Sequence, residues 1–399
     1  MAQREDEPAS TGAVKAASET TLRQSPGDTD MRGLAEQAFS RSAGAPLIGG
    51  NRIGLLRDAT ENYPAWLAAI GRARKRVHFE NYILADDRIG GVFADALLER
   101  ARAGVRVRVI YDWLGVFGKS SRAFWERLRA GGVDVRCYNP PRLESPLGWV
   151  SRDHRKLLTV DSEVGFVSGL CVADSWVGEP SRNIAPWRDT GVEIHGPAVA
   201  ELERSFARIW ATLGAPLPDT PPLSDDLPAA GGVSLRIVAS EPVTSGTFRL
   251  DQLVVAFARR RVWLTDAYYL GAPTYVQALI TSARDGVDVR MLLPRATDIP
   301  LIKIMSRVGY RPLLEAGVRI FEWNGTLLHA KTAVVDGQWA RVGSTNLNLA
   351  SWLGNCELDA VVEDEAFAQQ MEAMYLDDLA HATEIVLEAR RRMRPSGTP

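Results

Sequence analysis

The sequence predicts an α/β protein of two similar lobes, each a mostly parallel or mixed sheet flanked by helices, packed about a pseudo-twofold axis. Three observations lead there. Segments alternating between strand and helix patterns, punctuated by glycine, recur in the same order in both halves. A proline-rich break separates the halves, and each half closes on the same His-x-Lys-x4-Asp constellation. At 399 residues the chain has the length of two domains and ample apolar content, 46% hydrophobic, to bury a core.

Residues 1–45 are rich in Ser, Thr, Ala, Gly and scattered charge without helical or strand periodicity, and are expected as a disordered leader. The N-terminal lobe is expected over 46–213. In it, Arg76-Val-His-Phe-Glu-Asn-Tyr82 reads as a strand, and Ala101-Arg-Ala-Gly-Val-Arg-Val107 as a helix end, a glycine stop and the next strand. Gly104 sits where a helix C-terminus favours a residue that tolerates positive φ. Arg129-Ala-Gly-Gly-Val-Asp-Val135 repeats that punctuation. Residues 214–232 hold Pro216, Pro218, Pro221, Pro222 and Pro228, which cannot sustain a helix or central strand and imply a linker. The C-terminal lobe is expected over 233–389 and repeats the pattern: Arg261-Val-Trp-Leu-Thr-Asp-Ala-Tyr268, then Ala283-Arg-Asp-Gly-Val-Asp-Val289, then Glu315-Ala-Gly-Val-Arg-Ile320. Helices and strands alternating at this spacing imply βαβ units, and a repeat this long is a duplicated domain. Residues 390–399 are expected as a basic, flexible tail; contact with anionic lipid is the functional reading of Arg390–Arg394 and a solvated helix end the structural one.

Composition excludes several classes of function. The 47 basic and 49 acidic residues nearly cancel and the pI is about 6.3, against a chain whose main partner is nucleic acid. No apolar run approaches the eighteen residues of a membrane span, and MAQREDEPAS carries acids where a signal peptide needs a basic start. Cys137, Cys171 and Cys356 are too few and too far apart for a disulfide scaffold, and imply a reducing compartment. Of the basic residues, 41 are Arg and six are Lys, so the position of each Lys is informative.

Two of those six lie in His154-Arg-Lys-Leu-Leu-Thr-Val-Asp161 and His329-Ala-Lys-Thr-Ala-Val-Val-Asp336. With five His in the chain, chance gives about 0.08 His-x-Lys pairs, and here two occur at matching places in a repeat. Leu157–Val160 and Thr332–Val335 read as strands, so His and Lys two residues apart project to one face. Asp336-Gly337 is a tight-turn pair before a returning strand at Trp339–Val342. Gly343-Ser-Thr-Asn346 follows, able to offer hydroxyl, amide and backbone donors to an anion; Ser168-Gly-Leu-Cys171 holds that place in the first half. Phosphodiester transfer explains the duplication. One neutral imidazole attacks phosphorus while a second, protonated, protonates the leaving oxygen, and the ammonium groups offset charge on the non-bridging oxygens. No metal or other cofactor is expected: no Cys/His cluster has zinc spacing, and each Lys would repel a cation beside its His.

On these residues the chain resembles the phospholipase D superfamily, whose hallmark is the duplicated HKD motif, and more narrowly its bacterial cardiolipin synthases. The likeness spans about residues 50–375 and extends to Glu80-Asn-Tyr-Ile-Leu-Ala-Asp-Asp87, Trp187-Arg-Asp-Thr-Gly-Val192, Gly196-Pro-Ala198, Gly343-Ser-Thr-Asn-Leu347 and Asn355-Cys-Glu357. The resemblance implies two phospholipase D-type lobes and a catalytic set of His154, Lys156, Asp161, His329, Lys331 and Asp336. Within it, His154 is the nucleophile that becomes phosphatidyl-histidine and His329 the acid that then serves as base. Asp161 and Asp336 belong to the signature but are expected to fix turns. Asp189 and Glu357, which follow their His by similar intervals, are implied to orient the imidazoles, and Ser168, Ser344 and Asn346 to bind phosphate with the two Lys. Cys171 stands where the commoner pattern has Asn, which weakens the phosphate grip of that half.

The activity implied is formation of cardiolipin from phosphatidylglycerol. Its partners would be phosphatidylglycerol, with phosphatidylethanolamine as another donor, and the surface of the inner membrane, met peripherally from the cytoplasm; no nucleic acid is expected. Rival readings are a phospholipase D that passes the phosphatidyl group to water, a phosphodiesterase or nuclease, and an inactive lipid-binding scaffold. The motifs do not separate the first; acidic pI counts against the second, and retention of both His and both Lys against the third. His78, His195 and His381 are expected to be structural or surface residues. Pro146-Leu-Gly-Trp-Val150 and Pro300-Leu-Ile-Lys-Ile-Met305 are candidate loops for a bilayer interface.

Overall fold

The computed structural model describes residues 26–141 and 151–387; the first part of the leader, the Pro146–Val150 loop and the Arg390–Arg394 run lie outside the described residues. Helix α1 (Pro26–Ala43) begins in a leading unit of residues 1–38, and the rest of the fold belongs to the main unit from Phe39 onward. That helix occupies part of the segment expected to be structureless. Its stretch Leu34-Ala-Glu-Gln-Ala38 consists of good helix formers, whose propensity needs no apolar stripe for periodicity to reveal.

The first half runs β1 (Ile48–Arg57), α2 (Asp58–Arg72), β2 (Arg76–Asn81), α3 (Arg88–Arg102), β3 (Arg106–Asp112), α4 (Trp113–Val116), α5 (Arg122–Ala130), β4 (Asp134–Tyr138), β5 (Lys156–Val160), β6 (Val164–Ser168), α6 (Asp174–Val177), β7 (Thr190–His195) and α7 (Val199–Thr212). The second runs β8 (Val233–Ser240), α8 (Gly246–Phe257), β9 (Arg261–Thr265), α9 (Pro273–Arg284), β10 (Asp288–Pro294), α10 (Pro300–Val308), α11 (Tyr310–Glu315), β11 (Arg319–Trp323), β12 (Thr332–Val335), β13 (Trp339–Gly343), β14 (Glu357–Glu363), α12 (Glu365–Ala380) and β15 (Ala382–Ile385). Residues 214–232 carry a single 3-10 turn at Ser224–Asp226 and are held by side chains of the first half, Arg136 to the Ala215 carbonyl and Arg204 to the Pro222 carbonyl.

The local rules that mark these elements operate as written in the sequence. Gly104, Gly132, Gly286 and Gly317 adopt φ between 85° and 96° directly after helices, a conformation that penalises any residue with a Cβ. Asp87 caps α3 through the Gly90 amide at 2.8 Å, and Asp364 caps α12 through the Phe367 amide at 2.8 Å.

The strands form one fifteen-stranded sheet, ordered β15-β11-β10-β9-β12-β13-β14-β8-β1-β7-β6-β5-β2-β3-β4. From the β8–β1 junction outward the two halves read identically, strand for strand, and β15 is an addition at one edge. Parallel pairing is confined to β2–β3–β4 and β9–β10–β11, where helices cross over; every other pair is antiparallel. The sheets are therefore mixed. The His-x-Lys strands β5 and β12 return at once through β6 and β13, and so short a connection permits only antiparallel pairing.

A central apolar cluster ties the halves together, running from Leu202 and Phe206 on α7 through Leu157, Val334 and Leu358 to Met371 and Tyr375 on α12. Burial of each such side chain stabilises by roughly 1.5–3 kcal/mol. Flanking clusters pack α2, α3 and α5 on one half and α8, α9 and α11 on the other. Two isolated parallel bridges cross between halves, Asp153 with Cys356 and Arg188 with Leu328. These crossings place the site.

Candidate active site

Each His lies just before its strand, on a segment held by the opposite half. The His154 amide donates to the Cys356 carbonyl at 2.9 Å, and the His329 amide donates to the Arg188 carbonyl at 2.7 Å. The residue following each of those carbonyls is a buried carboxylate, and the side-chain pairing is crossed accordingly. His154 Nδ1 lies 3.0 Å from Glu357 Oε2, and His329 Nδ1 lies 2.7 Å from Asp189 Oδ2. Intervals along the chain associate Asp189 with His154 and Glu357 with His329; the fold exchanges them. With Nδ1–H donated to a carboxylate, Nε2 of each ring is the atom left to react.

Both carboxylates are built to stay ionised. Asp189 accepts from Trp176 Nε1 at 2.9 Å and from the Thr190 amide at 2.9 Å. Although burial opposes it, His329 and Lys331 hold its carboxyl down to about 2. Arg188, clamped by Asp378 and Asp58, fixes the backbone that carries it, and Asp58 also accepts from the Asp189 amide at 2.8 Å. Glu357 accepts from Ser344 Oγ at 2.5 Å; against the push of burial, His154 holds its carboxyl below the ordinary range.

Burial drives both imidazoles toward the neutral form. His154 is lowered by burial against the pull of Glu357, with Lys156 adding to the lowering. His329 is pushed down to about 3 by burial and then by Lys331, against Asp189. Lys156 and Lys331 fold back to donate to the carbonyls of their own His. Lys331 Nζ also lies 2.8 Å from His329 Nδ1 and 3.1 Å from its Nε2, and burial, with Lys156 adding to it, lowers its ammonium to about 8. The shielding is aromatic. Tyr82 stands edge-on to His154 with centroids 5.0 Å apart, whereas His329 is enclosed by Trp176, Trp187 and Tyr268 at 5.2, 5.7 and 5.8 Å.

The remaining expected residues divide. Asn346 is buried with its amide oxygen unpartnered by protein, free for a ligand's donor. Ser344 belongs to the site, but its hydroxyl serves Glu357 and accepts from the Leu358 amide at 2.9 Å. Ser168 does not match it. By strand register Gly169 occupies the Ser344 position and Cys171 the Asn346 position, and the Ser168 hydroxyl accepts from the Leu170 amide at 3.1 Å within its own turn. A Cβ at Gly169 would lie 2.1 Å from Asp189 Oδ1, so the carboxylate fills the space a serine would need.

Asp161 and Asp336 stand at the far ends of β5 and β12 from the His. Asp161 accepts the amides of Arg74, Lys75 and Arg76 at 2.7–2.8 Å, and Asp336 those of Arg259, Arg260 and Arg261 at 2.8 Å. Each ties the hairpin to the chain entering β2 or β9, at a distance from the imidazoles set by the length of the strand. Of the other His, His78 is stacked on Phe206, His195 bonds the Glu163 carbonyl and Glu193, and His381 bonds the Asp377 carbonyl.

Trp176, Tyr82 and Tyr268 received no role from the sequence. A signal existed for the tyrosines: they end the two matched strand motifs, and each His-Lys pair meets one of them. Trp176 carries no such mark. Among the described residues no group of three or more His, Cys, Asp or Glu is arranged to hold a metal ion.

Comparison with known proteins follows the same lines. The family described as "Cardiolipin synthase, PLD-like domain" matches residues 66–210 and 255–379. The chain is similar to cardiolipin synthase A of Pseudomonas aeruginosa, 36% identical over 365 residues that cover 90% of this chain and 73% of that protein. It is 33% identical over 349 residues to the cardiolipin synthase of Geobacillus kaustophilus, covering 86% and 69% respectively. In fold it is similar to the crystal structure of a Haemophilus influenzae phosphatidylserine synthase, with a TM-score of 0.69, 14% identity, and 88% and 92% of the two chains covered.

Proposed function

The chain belongs to the cardiolipin synthase family of phospholipase D-like phosphatidyltransferases, and from that premise we propose that it forms cardiolipin from two molecules of phosphatidylglycerol, releasing glycerol, through a phosphatidyl-histidine intermediate. The observation that carries this reading is the crossed pair of His–carboxylate contacts, which engages Nδ1 of each ring and turns Nε2 away from the carboxylate, with an ammonium group folded against each His.

In the first step His154 Nε2 attacks phosphorus. The bond from phosphorus to the glycerol headgroup oxygen breaks, and that oxygen takes a proton from His329 Nε2. In the second, the headgroup hydroxyl of another phosphatidylglycerol gives its proton to His329, its oxygen attacks phosphorus, and the P–N bond breaks to restore His154. Lys156, Lys331 and the Asn346 amide N–H hold the non-bridging oxygens, and Ser344 fixes Glu357. The His329 surroundings support the role of proton carrier. Burial and then the two ammonium groups depress His329; a bound phosphodiester anion offsets the ammonium charges, and Asp189 then stabilises an imidazolium. The substrate is a lipid, and no helix among the described residues is long and apolar enough to cross a membrane. We further propose that the enzyme meets its lipid peripherally, at the cytoplasmic face of the inner membrane.

Purified protein incubated with phosphatidylglycerol vesicles is expected to yield cardiolipin and glycerol by mass spectrometry. Phosphatidic acid alone would replace the synthase with a hydrolase. Ethanolamine release when phosphatidylethanolamine is included would change the donor, and no lipid product at all would sink the proposal.

A further inference from the structure

Helix α10 presents an apolar stripe outward. Leu301, Ile304, Met305 and Val308 fall at i, i+3, i+4 and i+7, the spacing of one helix face, and are 65%, 64%, 51% and 76% exposed. A buried helix would turn such a stripe inward; here Ser306 is the buried residue. The chain around it is basic, with Arg295, Lys303, Arg307 and Arg311 against Asp298 between positions 295 and 311. Arg307 is bound to Glu322 and Arg311 to Glu315, while Arg295 and Lys303 form no ion pair among the described residues.

Behind the stripe lies a cleft of about 670 Å³ between α9, α10 and residues 348–350, lined largely by apolar side chains such as Leu270, Val276, Ile302, Met305 and Leu349. It adjoins the candidate active site. Asn348 on its wall donates to the Tyr268 carbonyl at 2.8 Å, the Leu270 amide donates to the Leu347 carbonyl at 3.1 Å, and the Tyr268 ring faces His329. The first half repeats the placement. α4 follows β3 as α10 follows β10, and Leu114 and Phe117 there are 39% and 67% exposed. Since β3 lies parallel to β2 and β10 parallel to β9, both apolar segments leave the strand ends that also deliver Tyr82 and Tyr268 to the site.

We propose that α10 is an interfacial helix that seats the protein on an anionic bilayer, with the cleft behind it taking one acyl chain of the lipid whose phosphate lies between the two His. This rests on the phospholipid reading above and assigns its lipid-facing surface. Leu301 and Ile304 enter the acyl boundary, Met305 and Val308 also line the cleft, Arg295 and Lys303 meet anionic headgroups, and the bond from Asn348 on the cleft wall to the Tyr268 carbonyl sets the cleft beside the site.

The test uses the full chain and the double variant Leu301→Asn/Ile304→Asn, whose exposed positions lie outside both the core and the cleft. Flotation with vesicles of equal phosphatidylglycerol and phosphatidylcholine should show wild-type binding and about a thirtyfold weaker partition for the variant. Turnover of a monomeric dibutyryl phosphatidylglycerol should be equal in both. A Val276→Trp variant, which fills the cleft, should raise KM about tenfold for long-chain phosphatidylglycerol in vesicles and raise it less for the short-chain substrate. Equal partition of wild type and double variant, equal wild-type binding to pure phosphatidylcholine vesicles, or loss of a dimer in the variant by light scattering would each overturn the assignment. Should no phospholipid be turned over while partition still depends on α10, the catalytic reading fails and the surface stands. Short-chain turnover with partition indifferent to α10 would leave the catalytic reading standing and remove the surface.

Discussion

The two half-sites share one scaffold and differ in what surrounds the reactive ring. Among the described residues, His154 has one aromatic neighbour, Tyr82, and a carboxylate braced by a serine; His329 has three aromatic neighbours and a carboxylate braced by an indole and an amide. Gly169 and Cys171 replace Ser344 and Asn346, so the side-chain polar groups of that loop come from the second half alone. Duplication supplied two equivalent imidazoles, and divergence around them made room for unequal tasks. Among the described residues that difference supports the proposed division, with His329 as proton carrier and His154 as nucleophile.

The largest effects should come from the rings themselves. His154→Ala and His329→Ala are each expected to lower kcat on the order of 10⁴-fold. They should differ in what they trap: with radiolabelled short-chain phosphatidylglycerol, His329→Ala retains protein-bound label and His154→Ala retains none. The reverse pattern would exchange their roles. Next come the carboxylates, Asp189→Asn and Glu357→Gln, each at about a 10²-fold loss. Because pairing is crossed, Asp189→Asn should share the label-trapping behaviour of His329→Ala although it lies in the other half; resemblance to His154→Ala would break the crossed assignment.

A third expectation concerns pH. Burial lowers Lys331 from 10.5 to about 8, so its ammonium is present below pH 8 and lost above it. KM for the short-chain substrate should therefore rise by up to about tenfold per pH unit above 8, and Lys331→Arg should move that limb alkaline. The smallest effects on catalysis belong to the hairpin anchors. Asp161→Ala and Asp336→Ala each unpair three backbone amides and should cost about 2 kcal/mol of stability by denaturant unfolding. Activity per folded molecule should stay within about twofold. A large catalytic loss at unchanged stability would return these residues to the chemistry.

Much of this was legible because duplication writes each local rule twice. Gly104 and Gly286 mark the same helix stop, Asp161 and Asp336 the same turn, and the His-x-Lys pairs the same strand face. Crossing was not legible. Which carboxylate meets which imidazole depends on the bridges Asp153–Cys356 and Arg188–Leu328, contacts separated by more than a hundred residues with no local pattern of their own. Ser168 was given a phosphate role by its residue type, although the matched segments already set it opposite Gly343; the pairing of Leu157 with Val167 keeps that register and puts Gly169 where Ser344 stands. Trp176 was hidden because an indole on a four-residue helix carries no periodic signal.

The exchange of carboxylates between halves also sets a schedule for synthesis. While the chain emerges, His154 is made long before Glu357, and Asp189 long before His329, so neither imidazole is oriented until the second half has been built and docked. A nascent or truncated chain, or one whose halves have come apart, holds every reactive side chain of one motif and still lacks an aligned base. For a protein that breaks the bonds on which membranes depend, activity is thereby withheld until assembly is complete.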